Sequence, residues 1–295
     1  MTAPKVRPLV DGTARPAVVG FVDDVAAHAG ALVRRRATLW IGAAWAVLGP
    51  VLGMVVPYLV VRSGAMPAEA AGPVLAGLLP AALPGSVLAG YTPYGGAYLL
   101  LLGAVLVGNE YRWGTVATLL VQRAGRVRTV LSQVVALVLV VAGVVLAEFA
   151  SSAVTAVVIG ALEGGAPDGP QPGAVLASLA AAWLAGSAFA LVGVLLAHLT
   201  RSPAAAVGIG LVWLLGVESA VRGLLSVLGV VAGGLTGPAV GALAVGLGAP
   251  AVDAPIGVGA GGSPVVAVLV LLAWAGAAAG LSALVVGRRD VERRT

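Results

Sequence analysis

The chain has 295 residues, of which 60% are hydrophobic and 10% charged, with a mean hydropathy of +1.05. Soluble domains carry about 25% charged residues, and surface grows too fast relative to volume for a core of this size to hide so much apolar area, so lipid is the expected solvent. The net charge of +5 is almost all arginine, placed at the ends of apolar runs, which is the pattern of membrane topology and predicts no nucleic-acid partner. The absence of cysteine removes disulfides, thiolate metal sites and cysteine nucleophiles. His28 and His198 are too far apart for an HExxH motif, and the single lysine, Lys5, precedes Val6, so no Walker A loop is present.

In chain order, Met1 to Pro16 is polar. From Val18 to Val33 an apolar helical period runs through Val18, Phe21, Val22, Val25, Ala29, Leu32 and Val33, with Asp23, Asp24 and His28 opposite. That pattern predicts an amphipathic helix on the membrane surface, followed by Arg34, Arg35 and Arg36 at headgroup level. Leu39 to Val61 is uncharged and long enough for a first span, with Pro50 and Pro57 as kink points. Arg62 to Ser86 reads as a loop rich in Pro, Ala and Gly. The second span is Tyr91 to Val107, anchored by Tyr91, Tyr94 and Tyr98. The third, Val130 to about Ile159, is long enough that it must tilt, kink or protrude. Glu163 to Gly173 is a loop and Ala174 to Leu199 the fourth span. Ser202 and Pro203 give a capped start to the fifth, from Ala204 to at least Val217. The glycine-rich stretch to about Val258 reads as a short re-entrant pair, and Pro264 to Val286 as the sixth span.

With both termini cytoplasmic, every basic residue except Arg62 and Arg222 falls on the inner side. A cleaved signal peptide is not expected, because the first apolar run begins only at Leu39. The expected fold is therefore all-α: an N-terminal segment (1–37), a six-span domain (38–287) with a re-entrant segment between spans five and six, and a tail (288–295).

The segment between spans two and three, Asn109 to Arg128, reads as a short cytoplasmic helix. Thr115 can cap it, Val116, Leu119 and Leu120 form an apolar stripe, and Gly125 can end it. Arg123, Arg126 and Arg128 are placed to meet phosphate headgroups or an acidic partner. This segment resembles the first cytoplasmic loop of permease subunits of type 2 ATP-binding-cassette exporters. Glu110, Arg112, Gly114, Thr115, Leu119, Leu120 and Arg126 match that family's pattern. Arg123 stands where proline is common, Gly125 where serine is common and Gln133 where lysine is common.

The resemblance implies a coupling helix that docks on a separate ATP-binding-cassette ATPase subunit, with Glu110, Arg112, Gly114 and Thr115 as the transmission element. It implies that the partner binds ATP and magnesium and that this chain carries no cofactor and is not itself an enzyme. It also implies a second permease chain, identical or related, and a bacterial plasma membrane.

Three charges lie within apolar runs. Glu148, inside span three, is a functional candidate by position, able to meet a cationic substrate group, carry a proton or bond Ser151, Ser152 or Thr155. Glu218 and Arg222 are spaced to pair on one helix. Gly276 and Gly280 permit close helix packing on span six. Trp183, Trp213, Trp274 and His198 read as packing or structural residues. The expected function is export, with an amphipathic or hydrophobic small molecule or peptide as cargo. Its rivals are a proton-driven secondary transporter resting on Glu148 and a non-transporting scaffold or immunity protein.

Overall fold

The structure, a computed structural model, describes residues 17–114, 125–164, 168–227, 235–249 and 263–288. Among these residues every regular element is helical. The helices are α1 (Ala17–Arg34), α2 (Arg36–Pro50), α3 (Val56–Arg62), α4 (Ala68–Gly77), α5 (Leu83–Ala89), α6 (Gly96–Arg112), α7 (Arg126–Leu162), α8 (Pro172–Thr200), α9 (Pro203–Leu211), α10 (Glu218–Val227), α11 (Thr236–Gly246) and α12 (Pro264–Arg288). Three π-helical turns, Val51–Val55, Tyr91–Gly95 and Val212–Val217, join α2 to α3, lead into α6, and join α9 to α10.

Five continuous runs are long and apolar enough to cross a membrane: Arg36–Arg62, Arg126–Leu162, Pro172–Thr200, Pro203–Leu225 and Pro264–Arg288. They match expected spans one, three, four, five and six. The expected second span becomes α6, whose 17 residues cover about 26 Å as a helix, a little short of a hydrocarbon core of about 30 Å. The π turn at Tyr91–Gly95 precedes it, with Thr92 out of helical geometry.

The stretch expected to be a loop, Arg62 to Ser86, is instead largely helical. Ala68–Gly77 and Pro80–Ala89 form an apolar pair bent by 71°. Two of its prolines, Pro80 and Pro84, open helical segments, where the missing N–H costs nothing, while Pro73 lies inside α4. Ser86 donates to the Gly77 carbonyl across the bend. A helix pair of the kind expected after span five therefore occurs after span one. Between spans five and six the described part is α11 alone.

The centre is the crossing of α6 and α8. A β-carbon at Gly103 would run into the Ala190 backbone, and one at Gly193 into the backbone of Leu100 and Ala104. These two glycines let the helix backbones touch. The most apolar stretches of α8 and α7 are 61% and 56% buried within the chain, against 22% for the spans Arg36–Arg62, Pro203–Leu225 and Pro264–Arg288. Gly276 and Gly280 have no neighbour where a β-carbon would stand, so their smooth face is not used in packing this chain.

Along one side, α1, α2 and α3 run parallel to α7. Asp24 meets Arg128, His28 meets Ser132, Ala46 meets Ser151 and Tyr58 meets Glu163, at sequence separations of 104, 104, 105 and 105. A constant separation over so many turns requires two rods side by side. The 37 residues of α7 reach about 55 Å, well beyond the hydrocarbon thickness, and contain the expected span Val130 to Ile159 with extra turns at both ends. α1 packs against α7 through Asp24 and His28 of its polar face; from its apolar stripe Val25 and Leu32 are buried while Val22 and Val33 are exposed.

Candidate functional site

Glu110 lies in the last turn of α6 and is 4% exposed. Arg35 sits between α1 and α2 in an extended conformation, and its guanidinium reaches inward. One nitrogen donates to Glu110 Oε1 at 2.7 Å and the other to the Leu106 carbonyl at 3.0 Å. Gln133 of α7 donates to Glu110 Oε2 at 2.7 Å. Both carboxylate oxygens are thus held, one by a charge-assisted bond that balances the charge. Close by, Tyr111 shares a 2.8 Å hydrogen bond with His198 at the end of α8. Four elements are tied at one level.

Glu110, expected as part of the transmission element, has both of its oxygens bonded within this chain. Arg112 and Trp113 are exposed, Trp113 at 63%. Gly114 adopts a left-handed conformation at φ +69° just past the end of α6; a side chain there would be strained, and the turn redirects the chain. Thr115 and Leu119 lie outside the described residues. Arg126 belongs to the first turn of α7. Arg128 pairs with Asp24 at 2.9 Å, so its acidic partner lies in the same chain. Gly125 has positive φ and stands immediately before α7; the helix it was expected to end lies outside the described residues.

Glu148 sits midway along α7 and is 2% exposed. Ser152 donates to Oε1 at 3.2 Å, while Oε2 has no partner. Ser151 bonds the Ala46 and Glu148 carbonyls and Thr155 bonds the Ser151 carbonyl, so neither reaches the carboxyl group. Gly49 makes room for it: a β-carbon there would stand 3.2 Å from Glu148 Cγ and 3.4 Å from Trp45 Cζ2. Trp45 and Tyr91 are also buried, and Trp45 Nε1 and the Tyr91 hydroxyl are unpartnered. The rings of Trp45 and Tyr91 meet edge to face at 6.0 Å, and Tyr98 lies 5.3 Å from Trp45. Tyr91 was expected to be an interface anchor and is instead fully buried.

Glu218 does not form its main contacts with Arg222. Its carboxylate accepts from the Thr236 hydroxyl at 2.9 and 3.1 Å and from the Gly237 N–H at 2.5 Å. It therefore caps α11 from a distant point in sequence, where a negative charge suits the helix N-terminus. The Arg222 guanidinium donates to Ser219 at 3.4 Å.

Sequence reading missed Arg35, Gln133, Trp45 and Tyr91. Arg35 had no signal separating it from Arg34 and Arg36, and Gln133 was noticed only as a departure from a family pattern. Among the described residues no group of acidic and histidine side chains is arranged to hold a metal. No protein-family model matches the chain, and no curated protein matches it. The helices and their buried charge networks are those of a multi-pass helical membrane protein.

Proposed function

We propose that this chain is the permease subunit of an ATP-binding-cassette exporter in a bacterial plasma membrane. In this reading it crosses the bilayer six times, through α2–α3, α6 with its π turn, α7, α8, α9–α10 and α12, with both termini inside. It works as a pair of permease chains with two separate ATPase subunits that bind ATP and magnesium. The Asn109–Arg128 segment is the docking element. The observation that carries the reading is the contrast at the end of α6, where Glu110 is clamped to Arg35 and Gln133 while Arg112 and Trp113 face outward beside the Gly114 turn.

A loop that leaves such a braced helix end can pass a push to α1, α6 and α7 together. ATP-driven closure of the partners then biases the permease between states of different substrate affinity. The docking surface is Arg112, Trp113 and the loop beyond, with Glu110 as the brace behind them.

The chain has no cysteine, which makes a clean test possible. A single cysteine at position 113 carrying a photoactivatable cross-linker should capture a P-loop ATPase in native membranes. The same probe at Val265, at the other end of the bundle, should not. Capture of the same proteins from both positions would contradict the proposed docking surface. A proton-driven transporter is the second reading, favoured by one observation: an intramembrane carboxyl, Glu148, with an oxygen that has no partner.

A further inference from the structure

We propose that Glu148, Trp45 and Tyr91 form an intramembrane site for a hydrophobic organic cation, a protonated amine or quaternary ammonium group entering from the lipid. The proposal rests on the exporter reading and names its class of substrate.

The first support is charge. Among the described residues no basic side chain forms an ion pair with Glu148, and the only hydrogen bond to its carboxyl group comes from Ser152. A buried carboxylate without a counter-charge is costly. In the same interior, Glu110 has its arginine and Glu218 its helix N-terminus. A cation is the component that Glu148 lacks.

The second support is the wall around it. Trp45, Tyr91 and Tyr98 cluster at ring separations of 5.3 and 6.0 Å. Trp45 Nε1 and the Tyr91 hydroxyl are buried there without a hydrogen-bond partner among the described residues. Three of the buried polar atoms without a partner among the described residues, on α2, the Tyr91 turn and α7, belong to this one cluster. Aromatic faces beside a carboxylate suit an ammonium group. A bare alkali ion would have to exchange its water shell for one carboxylate and a few hydroxyls.

The third support is the backbone. The π turn Val51–Val55 begins two residues after Gly49, where a β-carbon would stand 3.2 Å from Glu148 Cγ, and the chain kinks at Thr92, next to Tyr91. π turns inside helices are frequent at functional sites, and both irregularities fall in the segments beside Glu148.

The site is closed in this conformation, with Glu148, Trp45 and Tyr91 at 2%, 1% and 0% exposure. Opening requires α2 to move off α7. α2 is the outer helix, with Leu39, Trp40 and Val47 exposed on its far side. It meets α7 through side-chain contacts at Gly42 and Gly49 and a hydrogen bond from Ser151 to the Ala46 carbonyl. Separation there opens the carboxyl toward lipid, where an amphiphilic cation is already concentrated.

The test is binding of radiolabelled tetraphenylphosphonium to the purified full-length chain in detergent, read by scintillation proximity. Competitors are benzyltrimethylammonium and its uncharged isostere neopentylbenzene. The expected result is saturable binding displaced by the cation and not by the isostere. Glu148→Gln should weaken binding about tenfold or more, the scale of losing one charged partner. Glu148→Asp should retain binding within a few-fold, and Trp45→Leu should weaken it several-fold.

Equal binding by wild type and Glu148→Gln, both eluting as folded protein, would overturn the proposal. So would equal competition by neopentylbenzene, or no saturable binding to folded wild type. A copurifying ATPase without cation binding would sink this site and leave the exporter reading standing. Cation binding without any ATPase would do the reverse.

Discussion

Two buried carboxyl groups in this chain are treated in opposite ways. Glu110 at the end of α6 has both oxygens occupied at 2.7 Å, one by an arginine and one by an amide. Glu148 in the middle of α7 has one 3.2 Å bond from a serine and a bare oxygen. Both are almost fully buried, so burial does not distinguish them. The difference lies in what surrounds them. Arg35 and Gln133 hold both oxygens of Glu110, with the Tyr111–His198 bond close by, whereas aromatic rings and glycines surround Glu148 without a counter-charge. A fully satisfied polar network rigidifies the core it sits in; the cation proposed above is what would complete the unsatisfied one.

The sharpest way to break this comparison is to remove Arg35. Arg35→Ala leaves Glu110 buried without its counter-charge, which typically costs about 3–5 kcal/mol. The purified variant should lose much of its folded peak after mild heating in fluorescence-detected size-exclusion chromatography. Replacing Arg35 and Glu110 together by Met should recover most of that loss, and no recovery would contradict the pairing described.

Glu218→Ala comes next. It strips the Thr236 hydroxyl and the Gly237 N–H of their acceptor, at about 1–3 kcal/mol. Faster proteolysis or hydrogen exchange confined to residues 236–246 is the expected signature, and unchanged exchange there would refute the capping role. Tyr111→Phe removes one hydrogen bond to His198 and should cost about 1 kcal/mol, seen as a small drop in the apparent melting temperature. Glu148→Gln is predicted to have the smallest effect on stability, within about 1 kcal/mol, because few bonds are lost. If it matches Arg35→Ala in the same heating assay, the contrast between the two carboxyl groups is wrong.

The spans themselves were legible because long uncharged apolar runs have few other fates. Expected and observed limits agree closely for Pro264–Arg288 and Pro172–Thr200. The Ser202 cap was legible too: its side chain accepts from the Ala205 N–H. The helix pair 68–89 was not, because prolines that open helices look like breakers when the register is unknown. The pairing of α1–α3 with α7 was not legible either. Composition marks Asp24 and His28 as a polar face, but it does not say whether water or another helix covers that face. The partners of Glu110 escaped for a related reason. They lie 75 and 23 residues away in sequence, and nothing local links them.

The most direct test of the proposed function is copurification. The tagged chain is extracted from its own membrane in mild detergent and the bound proteins are identified and quantified by mass spectrometry. The account predicts a P-loop ATPase near one-to-one stoichiometry, lost in Arg112→Glu combined with Trp113→Ala while the permease itself stays folded. A preparation that keeps other membrane complexes intact but yields no ATPase with this chain would contradict it.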